Sequence, residues 1–123
     1  MTVITETLKS IAEFGEKMRH NNILNYNKME NQKYIVRTDR AGVFFCEIES
    51  RNGSEAQLRN ARRLWYWHGA ASLSQLATEG VNRPNDCKFT VTVESCTVLG
   101  VIEIIPCTSK AVKSIENVKV WRV

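Results

Sequence analysis

The sequence predicts an α+β protein: an N-terminal amphipathic helix followed by a small, mostly antiparallel β-sheet domain with two short helices. Three observations support this. Apolar residues first recur every three or four positions, the period changes to two from Lys33, and turn and cap residues then separate the apolar runs. The 123 residues have room for one core. We expect residues 1–31 to form the helix and a linker, and residues 32–123 to form the β-rich domain.

The first segment has the period of an amphipathic helix. Its apolar residues are Ile4, Leu8, Ile11, Phe14 and Met18, and charged residues lie between them. The asparagine-rich stretch that follows predicts a linker. Because a helix of this length is marginal in water without a packing partner, it either docks on its own domain or joins subunits of a homo-oligomer.

Strand signals come next. Residues 34–38 and 42–50 are rich in β-branched and aromatic side chains, with a turn between them. Asn52-Gly53 is a strong hairpin signal, since both residues tolerate a positive φ, and it predicts a partner strand over residues 54–59.

Residues 63–67 fit either a helix or a strand. Three consecutive large aromatic residues lose rotamer freedom in a helix, so a strand is favoured here. This strand would place Trp65 and Trp67 on one side.

The two short helices have recognisable ends. Ser72 followed by Gln75 is a capping-box pattern, and Gly80 can end that helix in the left-handed conformation. Thr108 can cap a second helix, which runs to about Asn117.

The remaining strands are assigned from apolar runs. Strands are expected over residues 88–93 and 97–105, with the connection near Glu94-Ser95. Residues 118–121 are interpreted as a closing strand.

Charge and hydropathy exclude several classes of protein. The net charge of +4 and the pI near 9.0 permit weak attraction to anions but do not indicate a dedicated nucleic-acid binder. No apolar run approaches the roughly 18 residues that span a bilayer, and the N-terminus has no signal-peptide core. We therefore expect no membrane association and a cytoplasmic location.

The four cysteines do not form a metal motif. They contain no Cys-x-x-Cys pair, and the two histidines complete no recognised zinc spacing. We expect no metal and no disulfide, and the thiols to be buried and reduced. They are Cys46, Cys87, Cys96 and Cys107.

No catalytic pattern is present. His68 is the only histidine in the β-rich part, and its neighbours match no nucleophile elbow or papain-like signature. A glycine-rich phosphate loop, a His-Glu-x-x-His motif and a clustered carboxylate pair are all missing from the sequence. We expect a protein that is not an enzyme and needs no cofactor.

Residues 61–77 combine arginine and aromatic side chains that are suited to binding a ligand or a partner protein. Arginine can hold phosphate with two donors, aromatic rings can stack on bases, and both residue types also dominate protein interfaces. Small residues leading into a helix at Ser72 could add an anion pocket, or could form only a tight connection. Alternatively, the aromatics fill the core and the arginines are solvated. The expected ligand-binding or partner-binding residues are Arg59, Arg62, Arg63, Trp65, Tyr66, Trp67, His68 and Ser72.

The same stretch carries a family resemblance. The run NARRLWYW followed after one residue by GAASLSQLA resembles the hallmark of a family of small uncharacterised bacteriophage and prophage proteins. Further similar segments are IVRT, AGV, CKF and IEIIP, so that the resemblance covers about residues 34–121. It carries no activity or site residues. It implies a viral protein made in the host bacterial cytoplasm.

The expected function is binding. In the viral context, the protein would be a phage accessory protein and a homo-oligomer that counters host defence, by sequestering a nucleotide signal or by occluding a host protein. Two alternatives remain open. One is a nucleic-acid-binding protein, whose affinity would depend on salt. The other is a virion or assembly component held together through the N-terminal helix.

Overall fold

The computed structural model describes residues 32–123. In this part of the chain, five antiparallel strands form one sheet. The two helices lie after β3 and after β5, which confirms a mostly antiparallel α+β domain. The predicted N-terminal helix lies outside the described residues. The elements are β1 (Tyr34–Thr38), β2 (Val43–Asn52), β3 (Glu55–Tyr66), α1 (Leu73–Glu79), a 3₁₀ turn (Pro84–Asp86), β4 (Lys88–Val98), β5 (Val101–Pro106) and α2 (Ser109–Glu116).

The strands are ordered β4-β3-β2-β1-β5 in one sheet. The predicted hairpin is confirmed: Asn52 pairs with Glu55 across a two-residue turn. The turn residues are Gly53 and Ser54 rather than Asn52 and Gly53. Gly53 has φ 62°, a conformation that glycine adopts without steric cost. β3 is one continuous strand, which includes the ambiguous residues up to Tyr66.

The sheet is strongly coiled. β4 and β5 lie at its opposite edges, yet only Leu99 and Gly100 connect them. At this connection, the Asp39 N–H donates to the Gly100 carbonyl at 2.7 Å, and the Val101 N–H donates to the Ser54 carbonyl at 2.8 Å. The end of β1 and the tip of the β2–β3 hairpin therefore meet there. Register irregularities in β2 and β3 accompany this bending.

The predicted connection near Glu94-Ser95 is wrong. β4 continues through both residues to Val98. Their side chains are exposed, so polar residues at these positions do not interrupt the strand.

Apolar side chains pack on both faces of the sheet. Phe45 lies in a core between the sheet and the helices, which contribute Leu76 and Ile115. The adjacent Phe44 lies in a second core on the other face, with Leu58. Neighbouring residues of a strand point to opposite faces, so this alternation divides the apolar residues of β2 between the two cores.

Both predicted helix caps are confirmed. The Ser72 hydroxyl accepts the Gln75 N–H at 3.1 Å, and the Thr108 hydroxyl accepts the Ala111 N–H at 3.1 Å. α1 ends at Gly80, with φ 80° and ψ −151°. The expected positive φ is present, but the ψ value lies outside the left-handed helical region. Neither helix of residues 32–123 is long and apolar enough to cross a membrane.

The predicted closing strand is wrong. In place of a strand, the segment makes one parallel bridge, between Val120 and Phe89, and the Trp121 N–H donates to the Phe89 carbonyl at 2.8 Å. Val118 is buried, and its carbonyl accepts a side-chain donor, that of Arg62, instead of a strand N–H. The Val118 end of the segment is therefore held by β3, and the pairing with β4 is the single bridge at Val120.

Candidate functional site

Arg62 is buried inside the fold, with 5% of its surface exposed. Its Nε donates to the Thr90 carbonyl at 2.8 Å and its Nη1 to the Ile115 carbonyl at 3.0 Å. Its Nη2 donates to the carbonyls of Val118 at 2.7 Å and Phe89 at 3.4 Å. Burial lowers the pKa of the guanidinium. The donors that the sequence suggested for a ligand are therefore used within the fold, where they hold the C-terminal segment against β4.

Arg59 and Arg63 are exposed on the same strand. The Arg63 guanidinium lies 4.7 Å from the centroid of the Phe44 ring. Phe44 belongs to one core, whereas Arg62 lies over Phe89 in the other. Adjacent arginines of β3 thus point to opposite faces, and they do not form a common anion clamp.

Trp65, Tyr66 and Trp121 surround Lys88 and form what we call the aromatic–lysine patch. The three aromatic residues are 61%, 45% and 41% exposed. Lys88 Nζ lies 5.7, 6.0 and 5.5 Å from their respective centroids. Within residues 32–123, no carboxylate forms an ion pair with Lys88. The patch therefore presents one cation among three accessible aromatic faces.

The two tryptophans of the patch touch each other. The ring centroids of Trp65 and Trp121 are 5.5 Å apart and the planes are tilted by 38°. This spacing leaves no slot between them for another flat ring, so a bound ring would stack on an outer face.

An open depression of about 420 Å³ lies beside the patch. Asp86 on its wall is 3.5 Å from Arg83, so that this carboxylate already has a cationic partner. The Cys87 thiol donates to the His68 carbonyl at 3.6 Å, and burial raises the pKa of this thiol. The depression is lined by Tyr66, His68, Asn85, Asp86, Cys87, Lys88 and Trp121.

Trp67 does not share a face with Trp65, contrary to the prediction. β3 ends at Tyr66, and the half-buried Trp67 packs against the helix-side core together with Leu73. The structure thus divides the aromatic run, with Trp65 and Tyr66 at the surface and Trp67 against the core.

Two backbone donors at the start of α1 are bound by side chains of the same segment. The Ser72 hydroxyl binds the Gln75 N–H, and Gln75 Oε1 accepts the Ala71 N–H at 2.8 Å. The Gly69 carbonyl accepts the Asn82 N–H at 3.3 Å, which brings this turn close to the following loop. Of the two alternatives for these small residues, the contacts are those of a tight strand-to-helix connection.

Sequence reasoning missed Lys88 and Trp121. Lys88 reaches the patch because β4 pairs with β3 in a register that places it opposite Tyr66. Trp121 reaches it because Arg62 and Phe89 hold the C-terminal segment. The one available signal was a third tryptophan close to the C-terminus.

The cysteines behave largely as expected. Cys46, Cys87 and Cys107 are buried and Cys96 is half-buried. Burial raises the pKa of both Cys46 and Cys107 to about 12, so these thiols stay neutral at physiological pH.

Comparison with known proteins gives one match. No curated protein and no solved structure matches the chain. A family model described as Domain of unknown function (DUF6948) matches residues 31–115. This range includes the five strands, α1 and the patch residues Trp65, Tyr66 and Lys88, but not Trp121. Because the match extends over well more than half of the chain, the protein belongs to the family Domain of unknown function (DUF6948).

Proposed function

We propose that the protein is a non-enzymatic binding protein and that its aromatic–lysine patch binds a nucleotide. The observation that supports this is the position of Lys88 Nζ, between 5.5 and 6.0 Å from three exposed ring centroids. Large aromatic side chains left together at a surface are a common mark of a binding site. A nucleotide offers a flat base for the rings and a phosphate for the ammonium group.

The geometry suggests how the ligand lies. A base stacks on the outer face of Trp65, the most exposed of the three rings, because the contact with Trp121 closes the inner face. The phosphate reaches Lys88, which is not already neutralised by an ion pair within the described residues. Asn85 and His68 line the depression next to it and can provide hydrogen bonds to the sugar or base.

In the viral context that the sequence resemblance implies, nucleotide binding is proposed to serve counter-defence. The protein would act in the host bacterial cytoplasm by sequestering a nucleotide signal. Occlusion of a host protein by the same patch is the other form of this proposal, since tryptophan and tyrosine are frequent hot-spot residues of protein interfaces.

Nucleic-acid binding is a second candidate, and a separate observation favours it. Arg59 and Arg63 are exposed on β3, the strand that also carries Trp65. A single strand could contact these cations with its phosphates while one base stacks on the patch.

Isothermal titration calorimetry with a panel of cyclic and linear nucleotides tests the proposal. Trp65→Ala and Lys88→Gln are expected to weaken binding at least about tenfold, the loss of a stacked base or a phosphate contact. Lys113→Gln is the matched control, because Lys113 is an exposed lysine of α2. Absence of heat with every nucleotide would overturn the nucleotide proposal.

Gel shifts with single-stranded DNA and RNA separate the two candidates. If nucleic acid is the ligand, affinity falls steeply with salt, and the double variant Arg59→Gln, Arg63→Gln weakens it. If a mononucleotide is the ligand, the same double variant binds like the parent. If neither single-stranded DNA nor RNA changes mobility with the protein at low salt, nucleic-acid binding is ruled out.

A further inference from the structure

β4 has an open outer edge. It is the first strand in the order β4-β3-β2-β1-β5, so only its inner side pairs within the sheet. On the outer side, Phe89 meets Val120 and Trp121. The carbonyl of the next residue, Thr90, accepts the Arg62 Nε at 2.8 Å. From Thr90 onward, no strand of residues 32–123 covers this edge.

The open edge has few protecting features. Residues 90–97 alternate threonine and valine and then continue with Glu94, Ser95, Cys96 and Thr97. Val91 and Val93 are 44% and 45% exposed. Edge strands are usually protected by lysine, proline, a bulge or a covering element. This segment contains no lysine or proline, and its bulge lies at the start, where Thr90 and Val91 oppose Arg63 alone. Its high β-propensity and single charge favour the addition of another strand.

We propose that β4 pairs edge to edge with β4 of a second copy of this chain, antiparallel and about a twofold axis at Val93. This inference is independent of the nucleotide proposal. The axis places Val93 opposite its own counterpart and Val91 opposite Ser95 of the second copy. Thr92 lies opposite Glu94 of the second copy, where a hydroxyl can donate to a carboxylate.

Charge favours this register over the neighbouring one at Glu94. An axis at Glu94 would place two carboxylates directly opposite each other, which is unfavourable. An axis at Val93 avoids this, and it pairs residues 90–96 of each strand. Pairing then begins just after Phe89, so that the bridge to Val120 is retained.

Sedimentation of the full chain over a range of concentrations tests the proposal. The parent is expected to dimerise, and Val93→Lys is expected to weaken the dimer at least about tenfold, because two lysines would face each other at the axis. Ile102→Lys is the matched control: Ile102 is 55% exposed on β5, the other edge strand, and its replacement should leave the dimer unchanged. If Val93→Lys does not fold, Val91→Lys tests whether the same edge of β4 is needed for the dimer.

Glu94→Gln tests the register. Across the axis, the two Glu94 side chains are diagonal neighbours, so removal of their charges should tighten the dimer by up to about fivefold at low salt. In a Cys96→Ser background, Val93→Cys should form an interchain disulfide under mild oxidation, whereas Val91→Cys should not.

Three results would overturn the inference. The first is a monomer at all concentrations. The second is a dimer that both lysine variants of β4 leave intact, which would place self-association elsewhere, including residues 1–31. The third is a dimer in which Val93→Cys does not cross-link.

Discussion

The Nη2 atom of Arg62 donates to the Val118 carbonyl at 2.7 Å, across 56 residues of sequence. The same guanidinium binds the Ile115 carbonyl in the last turn of α2, which also accepts the Val118 N–H at 3.1 Å. A cation is favourable at this end of a helix dipole. One side chain of β3 therefore completes α2 and fixes the segment that carries Trp121.

Replacement of Arg62 is expected to destabilise the domain strongly. Arg62→Met removes the side-chain donor of four carbonyls, of which those of Phe89 and Ile115 keep a backbone donor. We expect the free energy of unfolding to fall by about 3 kcal/mol or more, because the carbonyls of Thr90 and Val118 lose the guanidinium. Urea denaturation followed by tryptophan fluorescence measures this. Arg59→Met, at an exposed position of the same strand, should change stability by less than about 0.5 kcal/mol. Equal effects of the two substitutions would contradict the role assigned to Arg62.

Gly80→Ala is expected to destabilise the junction between the helices. Gly80 has a positive φ, and a Cβ there would collide with the side chain of Ser114. Strain and collision together should cost about 2 kcal/mol or more in thermal or urea unfolding. Gly53→Ala is the control, since Gly53 also has a positive φ but open space around it, and it should cost only about 1 kcal/mol. Similar losses would mean that the contact with Ser114 does not matter.

The aromatic–lysine patch should affect how the fluorescence of its tryptophans is quenched. Iodide, an anion, should quench the exposed tryptophans efficiently because Lys88 lies beside two of them. Lys88→Gln should therefore lower the quenching constant for iodide but not that for neutral acrylamide. Lys113→Gln should change neither constant. A double variant with Trp65→Phe and Trp121→Phe, which leaves the half-buried Trp67, should be quenched least by both agents.

The buried thiols predict a loss of stability at alkaline pH. Burial raises the pKa of Cys46 from its ordinary value of 9.0 to about 12. Below pH 9 the thiol is neutral in both states, and its contribution is intact. Between pH 9 and 12 the unfolded chain releases the proton while the folded chain keeps it, so that stability falls. The limiting slope is about 1.4 kcal/mol per pH unit for each such thiol.

Urea unfolding between pH 8 and 10.5 measures this slope. Cys46→Ala should be less stable at pH 8 but should lose stability less steeply with pH. Val36→Ala removes a buried apolar side chain without a titrating group, and it should keep the parent slope. An unchanged slope in Cys46→Ala would refute the assignment.

Local signals in the sequence predicted much of the fold. The Asn52-Gly53 hairpin and the caps at Ser72 and Thr108 depend on interactions within a few residues, and all three are confirmed. The β4–β5 connection was misplaced, because the exposed Glu94 at a sheet edge resembles a turn residue. The closing strand was wrong because Val118 is held by a side chain from a distant strand.

The site was predictable only in part. Trp65, Tyr66 and His68 were identified from their density in the sequence, and they do lie at or beside the patch. Lys88 and Trp121 join them through tertiary contacts that no short motif encodes. Arg62 and Arg63 are equivalent in the sequence, and which of them is buried depends on the strand register.

The two-residue connection at Leu99 and Gly100 also constrains how the domain folds. The β2–β3 hairpin can form early, because its strands are adjacent in sequence. β5 pairs with β1 across large sequence separations, such as the 66 residues between Arg37 and Glu103. Since such contacts require a long loop to close first, β5 should be the last strand to dock, and the rate of folding should depend more on this step than on the hairpins.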